Sequence, residues 1–140
     1  MILDSPSASW HVRPVLRALR DYHRARLLTV FSGLRGTLQQ DTAEIGRLLG
    51  RISNILIVCD DDPSDVERVS LATEGARRNE LPPMMIPVGS EIEGVRRAMG
   101  LARPKDVIYI LSDDPAALWS ELHQLGPLVQ LNRRGSTARA

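Results

Sequence analysis

Residues 55–63 read Ile-Leu-Ile-Val-Cys-Asp-Asp-Asp-Pro, which is five apolar residues followed by three acidic ones and a proline. A continuous apolar run of this length is typical of a parallel strand that helices cover on both faces. Acidic residues that follow such a strand lie at its carboxyl end, where sheets of this kind bind their ligands. The stretch therefore predicts the centre of an α/β sheet with acidic residues at its edge.

Strand-like and helix-like segments alternate on both sides of this run. Further strands are predicted at residues 2–4, 26–31, 84–88, 107–111 and 128–131. Amphipathic helices are predicted between them, and alternation at this spacing is typical of right-handed βαβ units. We therefore predict a three-layer, Rossmann-like α/β sandwich of five or six mostly parallel strands, with helices on both faces. One domain is expected over residues 1–131, followed by a disordered polar tail at 132–140.

Local signals predict where the helices begin. Pro14 is tolerated only in a first helical turn, so the first helix is expected to begin near His11 or later. Three pairs of the capping-box type predict further helix starts, at Asp41 with Glu44, Ser64 with Glu67, and Ser90 with Glu93. Asp114 followed by Pro115 predicts the start of the last helix.

Composition excludes several classes of protein. The chain has 140 residues, of which 43% are hydrophobic and 25% charged, and its net charge of +1 argues against nucleic-acid and membrane-surface partners. No apolar stretch approaches the roughly 20 residues of a membrane span, and no signal peptide is recognisable. Cys59 is the only cysteine, which fits a reducing compartment. A cytoplasmic protein is expected.

The candidate ligand-binding residues follow the predicted strands, because the carboxyl ends of parallel strands meet at one edge. They are Asp4, Gly33, Arg35, Gly36, Asp60, Asp61, Asp62, Ser112, Asp113 and Asp114. An acidic edge can hold Mg²⁺ or the ammonium or guanidinium group of a substrate. Alternatively, Asp62 and Asp114 only stabilise helix starts.

The loop at residues 32–37 contains Gly33 and Gly36 and connects a strand to a helix, a context that can cradle phosphate on backbone amides. It lacks the Gly-Lys-Ser/Thr ending of a P-loop, so a plain connecting loop is the alternative. Catalytic residues and metal ligands are not predicted, since the three histidines and one cysteine show no ligand spacing.

Four arginines, Arg13, Arg17, Arg20 and Arg24, fall on one face of the first predicted helix. Such a stripe can dock an acidic partner or a neighbouring domain. The alternative is an ordinary solvated face, as on most amphipathic helices.

Two resemblances to known families compete. The stretch 55–63 resembles the first strand and acidic pair of a response-regulator receiver, which would imply a signalling domain. In a receiver, however, this strand opens the domain, whereas here two strand–helix pairs precede it. The other resemblance covers residues 3–125 and is to the carboxyl-terminal domain of Mur-type ligases.

The ligase resemblance rests on segments that occur in the family's order. They are Leu3-Asp4, Val15-Leu16-Arg17-Ala18-Leu19-Arg20, the strand and glycine loop at 27–36, Glu44-Ile45-Gly46-Arg47-Leu48, the stretch 55–63, Glu74-Gly75-Ala76, and Ala102-Arg103-Pro104-Lys105-Asp106-Val107. Ser112-Asp113-Asp114 resembles the ending of the last strand in cyanophycin synthetases, whereas the peptidoglycan ligases carry Gly-Lys-Gly-His-Glu there.

The resemblance implies part of an ATP-dependent ligase, which activates a carboxylate as an acyl phosphate for attack by an amino acid's amine. This domain would help to hold the amino acid and close over ATP. ATP and Mg²⁺ are implied by the resemblance only, and no cofactor is expected in this chain alone. An ATP-binding central domain would have to lie on another chain or on a missing upstream segment.

Departures from the family pattern leave two functions open. Only Asp4 remains of the family's Asp-Tyr-Ala-His loop, and residues 35–40 replace its Gly-Asp-Arg loop. The chain is therefore expected to be either a ligase part that is inactive alone or a degenerate, non-catalytic binding or regulatory domain.

Overall fold

A five-stranded parallel sheet forms the centre of the computed structural model, which describes residues 1–6, 8–21, 25–32, 34–60 and 62–124. The strands are β1 (Ile2–Asp4), β2 (Leu27–Phe31), β3 (Ile55–Cys59), β4 (Met84–Val88) and β5 (Val107–Leu111), in the order β1-β5-β2-β3-β4. The helices are α1 (Ser9–Arg20), α2 (Gln39–Ile52), α3 (Val66–Arg77), α4 (Glu91–Leu101) and α5 (Pro115–Gln124). A short 3₁₀ helix (Pro63–Asp65) precedes α3. The predicted Rossmann-like α/β fold is confirmed.

The helices cover both faces of the sheet. Buried residues of α1, α2 and α3 pack with Val107, Tyr109 and Leu111 of β5, whereas α4 and α5 pack with Ile108 and Ile110. This alternation follows from the two-residue period of a strand. Every residue of β2, β3 and β5 is buried, as the apolar runs predict.

The strand at Ile55–Cys59 is the third of the sheet and lies between β2 and β4. The sheet already begins at Ile2, so this strand does not open the domain as it would in a receiver.

Helices α2 and α3 cross unusually closely. A Cβ atom added at Gly46 would lie 2.1 Å from the carbonyl oxygen of Ala72, and one added at Gly75 would lie 2.5 Å from that of Ala43. Both distances are shorter than any van der Waals contact, so only glycine fits at these two positions. The crossing fixes α2 and α3 against the same face of the sheet, and the loops before them end at its carboxyl edge.

Helix α1 begins earlier than predicted. It starts at Ser9 rather than near His11, and Pro14 lies inside it. The first turn is tightened, because the His11 N–H donates to the Ala8 carbonyl at 3.1 Å. Val12 and Leu16 are buried against the sheet on either side of the proline, and this packing outweighs its local cost.

Two predicted capping pairs are also wrong. Helix α2 begins at Gln39, and the Asp41 carboxylate accepts a hydrogen bond from the Ser9 hydroxyl at 2.8 Å instead of capping its own helix. Before α3, the cap is Asp62, whose Oδ1 accepts from the Ser64 N–H at 2.8 Å. At Asp41, a tertiary contact with Ser9 replaces the predicted capping interaction. The spacing of residues within one helix does not predict such a contact.

Some predictions fall on residues outside the described ranges. They concern the strand at 128–131, the tail at 132–140, and the positions Arg24, Gly33 and Asp61. Among the described helices, none has the length and apolar character that crossing a membrane would require.

Candidate functional site

The candidate site is the crevice between the carboxyl ends of β5 and β2. The chain leaves β2 toward α2 on one face of the sheet and leaves β5 toward α5 on the other face. Neighbouring parallel strands whose connections diverge in this way leave a crevice between them, and such switch points are where sheets of this class bind ligands. The loop at 34–38, the start of α4 and residues 112–114 surround it.

Two buried serines hold one carboxylate at the base of the crevice. The Ser32 hydroxyl donates to Glu91 Oε1 at 2.7 Å, and the Ser112 hydroxyl donates to Glu91 Oε2 at 3.0 Å. The serines are 4% and 0% exposed, so these hydroxyls are closed to solvent. Glu91, the first residue of α4, thus joins the start of α4 to the ends of both strands.

A charged cluster lies on the α3 side of the crevice. The Arg35 guanidinium pairs with Asp62 and donates from Nε to Asp65 Oδ2 at 3.2 Å. Arg68 Nη1 donates to Asp65 Oδ1 at 3.2 Å, while its buried Nε has no hydrogen-bond partner among the described residues. Asp65 is buried, so its two arginine partners compensate for its loss of hydration. Arg35 consequently offers little free charge to a ligand.

The loop that carries Arg35 is held in a strained conformation. Leu34 has a φ of 51° and Gly36 a φ of 85°, and the Leu34 side chain is only 1% exposed. The Thr37 hydroxyl donates to the Leu34 carbonyl oxygen at 2.6 Å and contacts the Thr42 hydroxyl at 2.9 Å. A left-handed leucine costs about 1–2 kcal/mol, so burial and these bonds hold the loop in place.

Asp113 faces this cluster from the end of β5. Partial burial raises the pKa of its carboxyl, and the charge of Asp65 raises it further. The Arg35 backbone N–H and the charges of Arg35 and Arg68 lower the pKa. The pKa remains above its ordinary value. The ionised carboxylate is therefore under-compensated, and a cation placed beside it would be stabilised.

Asp4 has a structural partner in the neighbouring strand. Its Oδ2 accepts from the Tyr109 hydroxyl at 2.9 Å, and its Oδ1 accepts from the Ser5 N–H at 2.8 Å. Burial, followed by the hydrogen bond to Asp4 and its charge, raises the pKa of Tyr109. Asp4 thus supplies a hydrogen-bond acceptor for the hydroxyl of the buried Tyr109.

The remaining predicted residues divide into caps and exposed groups. Asp62 and Asp114 both cap helices, Asp114 by accepting from the Ala117 N–H at 3.0 Å, as the alternative interpretation expected. Asp60 follows β3 with an exposed side chain, while its backbone N–H donates to the Val88 carbonyl at 3.0 Å. The described candidates all follow strand ends on one edge of the sheet, and Gly33 and Asp61 lie outside the described residues.

Sequence reasoning missed Glu91, Asp65 and Arg68. Glu91 and Asp65 stand at helix starts, where acidic residues are common, so neither carries a distinguishing signal. Arg68 lies on the first turn of α3, where it pairs with Asp65 and its charge acts on Asp113.

The described part of the edge does not form a metal or phosphate site by itself. No three His, Cys, Asp or Glu side chains within it, or elsewhere in the described ranges, are grouped to hold a metal ion. Its nearest cation, Arg35, is bound by two carboxylates. The described residues of this edge therefore provide no grouped ligands for the Mg²⁺ that the ligase resemblance implies.

Comparison with known proteins finds similarity among solved structures. No model of a protein family matches the sequence, and no curated protein does. Among solved structures, the fold is similar to a domain from a Haemophilus ducreyi protein that bears the name of a UDP-N-acetylmuramate:L-alanyl-gamma-D-glutamyl-meso-diaminopimelate ligase. The TM-score is 0.56 at 20% identity, covering 86% of this chain and 85% of the other. At this identity the match establishes a shared fold.

Proposed function

We propose that this chain is a ligase-type domain that binds the amine of an amino acid or peptide at the carboxyl edge of its sheet. The ATP-dependent chemistry would require an ATP-binding domain located elsewhere, and the chain alone would be inactive. A cytoplasmic location, where ATP is available, belongs to the same proposal. The observation that carries it is the position of Asp113, an exposed carboxylate directly after β5 at the switch point where sheets of this class bind ligands.

The charges around the crevice favour a cationic ligand group. Arg35 and Arg68 are both engaged with Asp65, whereas Asp60 is exposed after β3 and Asp113 is exposed after β5. An ammonium group has three N–H donors and a positive charge, so it can pair with an exposed carboxylate such as that of Asp113. The fold is shared with a domain from a protein whose name is that of a ligase of UDP-N-acetylmuramate and a diaminopimelate-containing peptide, and such a peptide carries amines.

The same geometry supports the lack of activity of the isolated chain. Activation of a carboxylate by ATP needs cations that hold the phosphate groups, and Arg35 is bound by Asp62 and Asp65. Ser32 and Ser112 are 4% and 0% exposed, so their hydroxyls are closed to an incoming substrate.

Calorimetric titration with L-lysine, L-alanine and meso-diaminopimelate tests the proposal. We expect saturable binding of at least one amine, weakened about tenfold or more in Asp113→Asn, because a direct charge-assisted bond is worth roughly 1.5–3 kcal/mol. Glu80→Gln, an exposed acid after α3 at the opposite edge, is the matched control and should leave binding unchanged. Binding that survives Asp113→Asn would contradict the assigned site.

A degenerate binding domain is the second candidate. It is favoured by the structural engagement of three acids in the predicted site, because Asp4 holds Tyr109 and Asp62 and Asp114 cap helices. Under this alternative, no amine in the panel binds, with or without ATP and Mg²⁺, while the folded chain captures a partner protein at stoichiometric ratio. The two outcomes separate the candidates.

A further inference from the structure

A groove between α1 and α2 lies away from the candidate site, on the outer side of these two helices. Its lining residues are Arg13, Leu16, Arg17, Arg20, Leu48, Arg51 and Ile52. Both helices begin at the carboxyl edge of the sheet and end at the opposite edge, so the groove leads away from the β5–β2 crevice.

The groove is lined by arginines and by no acidic residue. Arg13 has a partner just beyond the lining, Glu44, at 2.8 Å. Arg17, Arg20 and Arg51 have no acidic partner within the described part of the chain. Helix dipoles favour cations in the last turn of a helix, where Arg17, Arg20 and Arg51 lie, but this does not remove the mutual repulsion of guanidinium groups that share a groove. A bound anionic group would remove it.

Apolar groups accompany these charges. Leu16 and Leu48 are buried at the floor of the groove, and Ile52 is half-buried. Trp10 is 65% exposed and, by helical spacing, lies on the same face of α1 as Arg13 and Arg17. Tryptophan and arginine are the residues most enriched where protein interfaces gain their binding energy.

We infer that this groove binds an acidic, amphipathic peptide segment of a partner protein. Carboxylates of the segment would pair with Arg17, Arg20 and Arg51, and its apolar side chains would contact the floor and Trp10. Nucleic acid fits less well, because the net charge of the chain is only +1 and the groove runs along α1, a helix only about 18 Å long. An apolar floor is also of no use to a phosphate backbone.

Fluorescence anisotropy with a labelled 15-residue peptide tests the inference. The peptide carries Glu and Asp on one helical face and Leu on the other, and its controls are a Lys-substituted version and a single-stranded oligonucleotide of equal charge. We expect saturable binding of the acidic peptide that weakens with salt. The double variant Arg17→Glu/Arg51→Glu should weaken it by about a hundredfold, since two charge pairs are each worth roughly tenfold.

The matched control is Arg96→Glu/Arg97→Glu on α4, which reverses two exposed arginines on the other side of the sheet. It should bind the peptide as the unmodified chain does, and both double variants should keep the unmodified thermal unfolding temperature. Equal losses in the two double variants, no saturable binding, or tighter binding of the oligonucleotide would each overturn the inference. None of these outcomes depends on Asp113, so the amine-binding proposal stands or falls separately.

Discussion

The α2–α3 crossing and the β5–β2 crevice differ in how far they lie in the sequence segments that carry the ligase resemblance. The crossing brings two helix backbones together at Gly46 and Gly75, and both glycines stand in segments that carry the ligase resemblance, Glu44-Ile45-Gly46-Arg47-Leu48 and Glu74-Gly75-Ala76. The crevice is assembled from single residues of four separate segments, and the acid that joins them, Glu91, lies in none of the segments named for the resemblance. The resemblance therefore rests largely on packing, and packing determines the fold.

A third matched segment supports this conclusion. In Ala102-Arg103-Pro104-Lys105-Asp106-Val107, Asp106 accepts hydrogen bonds from Arg26 Nη2 at 2.6 Å and from the Arg103 N–H at 2.8 Å. These contacts lie at the amino ends of β2 and β5, away from the crevice. A family likeness of this kind predicts architecture well and chemistry poorly.

The largest effect is expected from breaking the helix crossing with Gly46→Ala. The added Cβ would overlap the Ala72 carbonyl oxygen, so α3 must move away from α2. We expect a loss of about 3 kcal/mol in the free energy of unfolding, at the upper end of the range for overpacking. Urea unfolding followed by circular dichroism measures this loss.

Gly100→Ala is the matched control for that experiment. Gly100 lies near the end of α4, and a Cβ there meets nothing within 4 Å. Alanine should therefore stabilise the protein by about 0.5–1 kcal/mol, because it restricts the unfolded chain. Equal destabilisation by both substitutions would show that the crossing is not the cause.

The sequence predicts the sheet better than it predicts the helix starts and the site. Each buried strand is a largely apolar run, such as Ile55–Cys59, and this signal can be read from the strand's own residues. Asp41 does not cap α2 as predicted, because its carboxylate accepts a hydrogen bond from Ser9, which lies 32 residues away along the chain. Glu91 was missed because its role depends on Ser32 and Ser112, which come together only when β2 and β5 pair.

The next largest effect is expected from Asp106→Asn, a change at the amino ends of β2 and β5. The Asp106 side chain is 6% exposed, and although burial opposes its ionisation, hydrogen bonds from Arg26 and the Arg103 N–H, with the charge of Arg26, lower its pKa. Asp106→Asn should cost about 2 kcal/mol at pH 7, as for other hydrogen bonds to charged groups.

The pH dependence of that cost follows from the direction of the pKa shift. Because the folded-state pKa is lowered, the contribution of Asp106 is fully present above the unfolded value of about 3.9 and is lost as the pH falls through the folded value. The difference in the free energy of unfolding between the unmodified chain and Asp106→Asn should therefore shrink below about pH 4. A difference that stays constant from pH 7 to pH 3 would contradict the ionic role of Asp106.

A smaller effect is expected inside the crevice from Glu91→Gln. Glutamine keeps one oxygen acceptor and replaces the other with an amide donor, so one of the two buried serine hydroxyls must reorient. We expect a loss of about 1–2 kcal/mol in unfolding free energy. Glu93→Gln, which changes an exposed acid in the same helical turn, should cost about 0.5 kcal/mol or less. Equal costs would mean that Glu91 acts only through the helix dipole.

The smallest effect, and the one of opposite sign, is expected from Asp113→Asn. The raised folded-state pKa of Asp113 means that its charge opposes folding, and this penalty appears as the pH rises through the folded value. Removing the charge should leave stability at pH 7 unchanged or higher by up to about 0.5 kcal/mol, the range of exposed substitutions. Asp106→Asn, the same chemical change, is expected to destabilise the protein. Comparing the two variants therefore distinguishes an acid that stabilises the fold, Asp106, from one that the fold only tolerates, Asp113. An acid that the fold tolerates at a switch point is the kind a ligand would use, and a clear loss of stability in Asp113→Asn would place Asp113 with the structural acids instead.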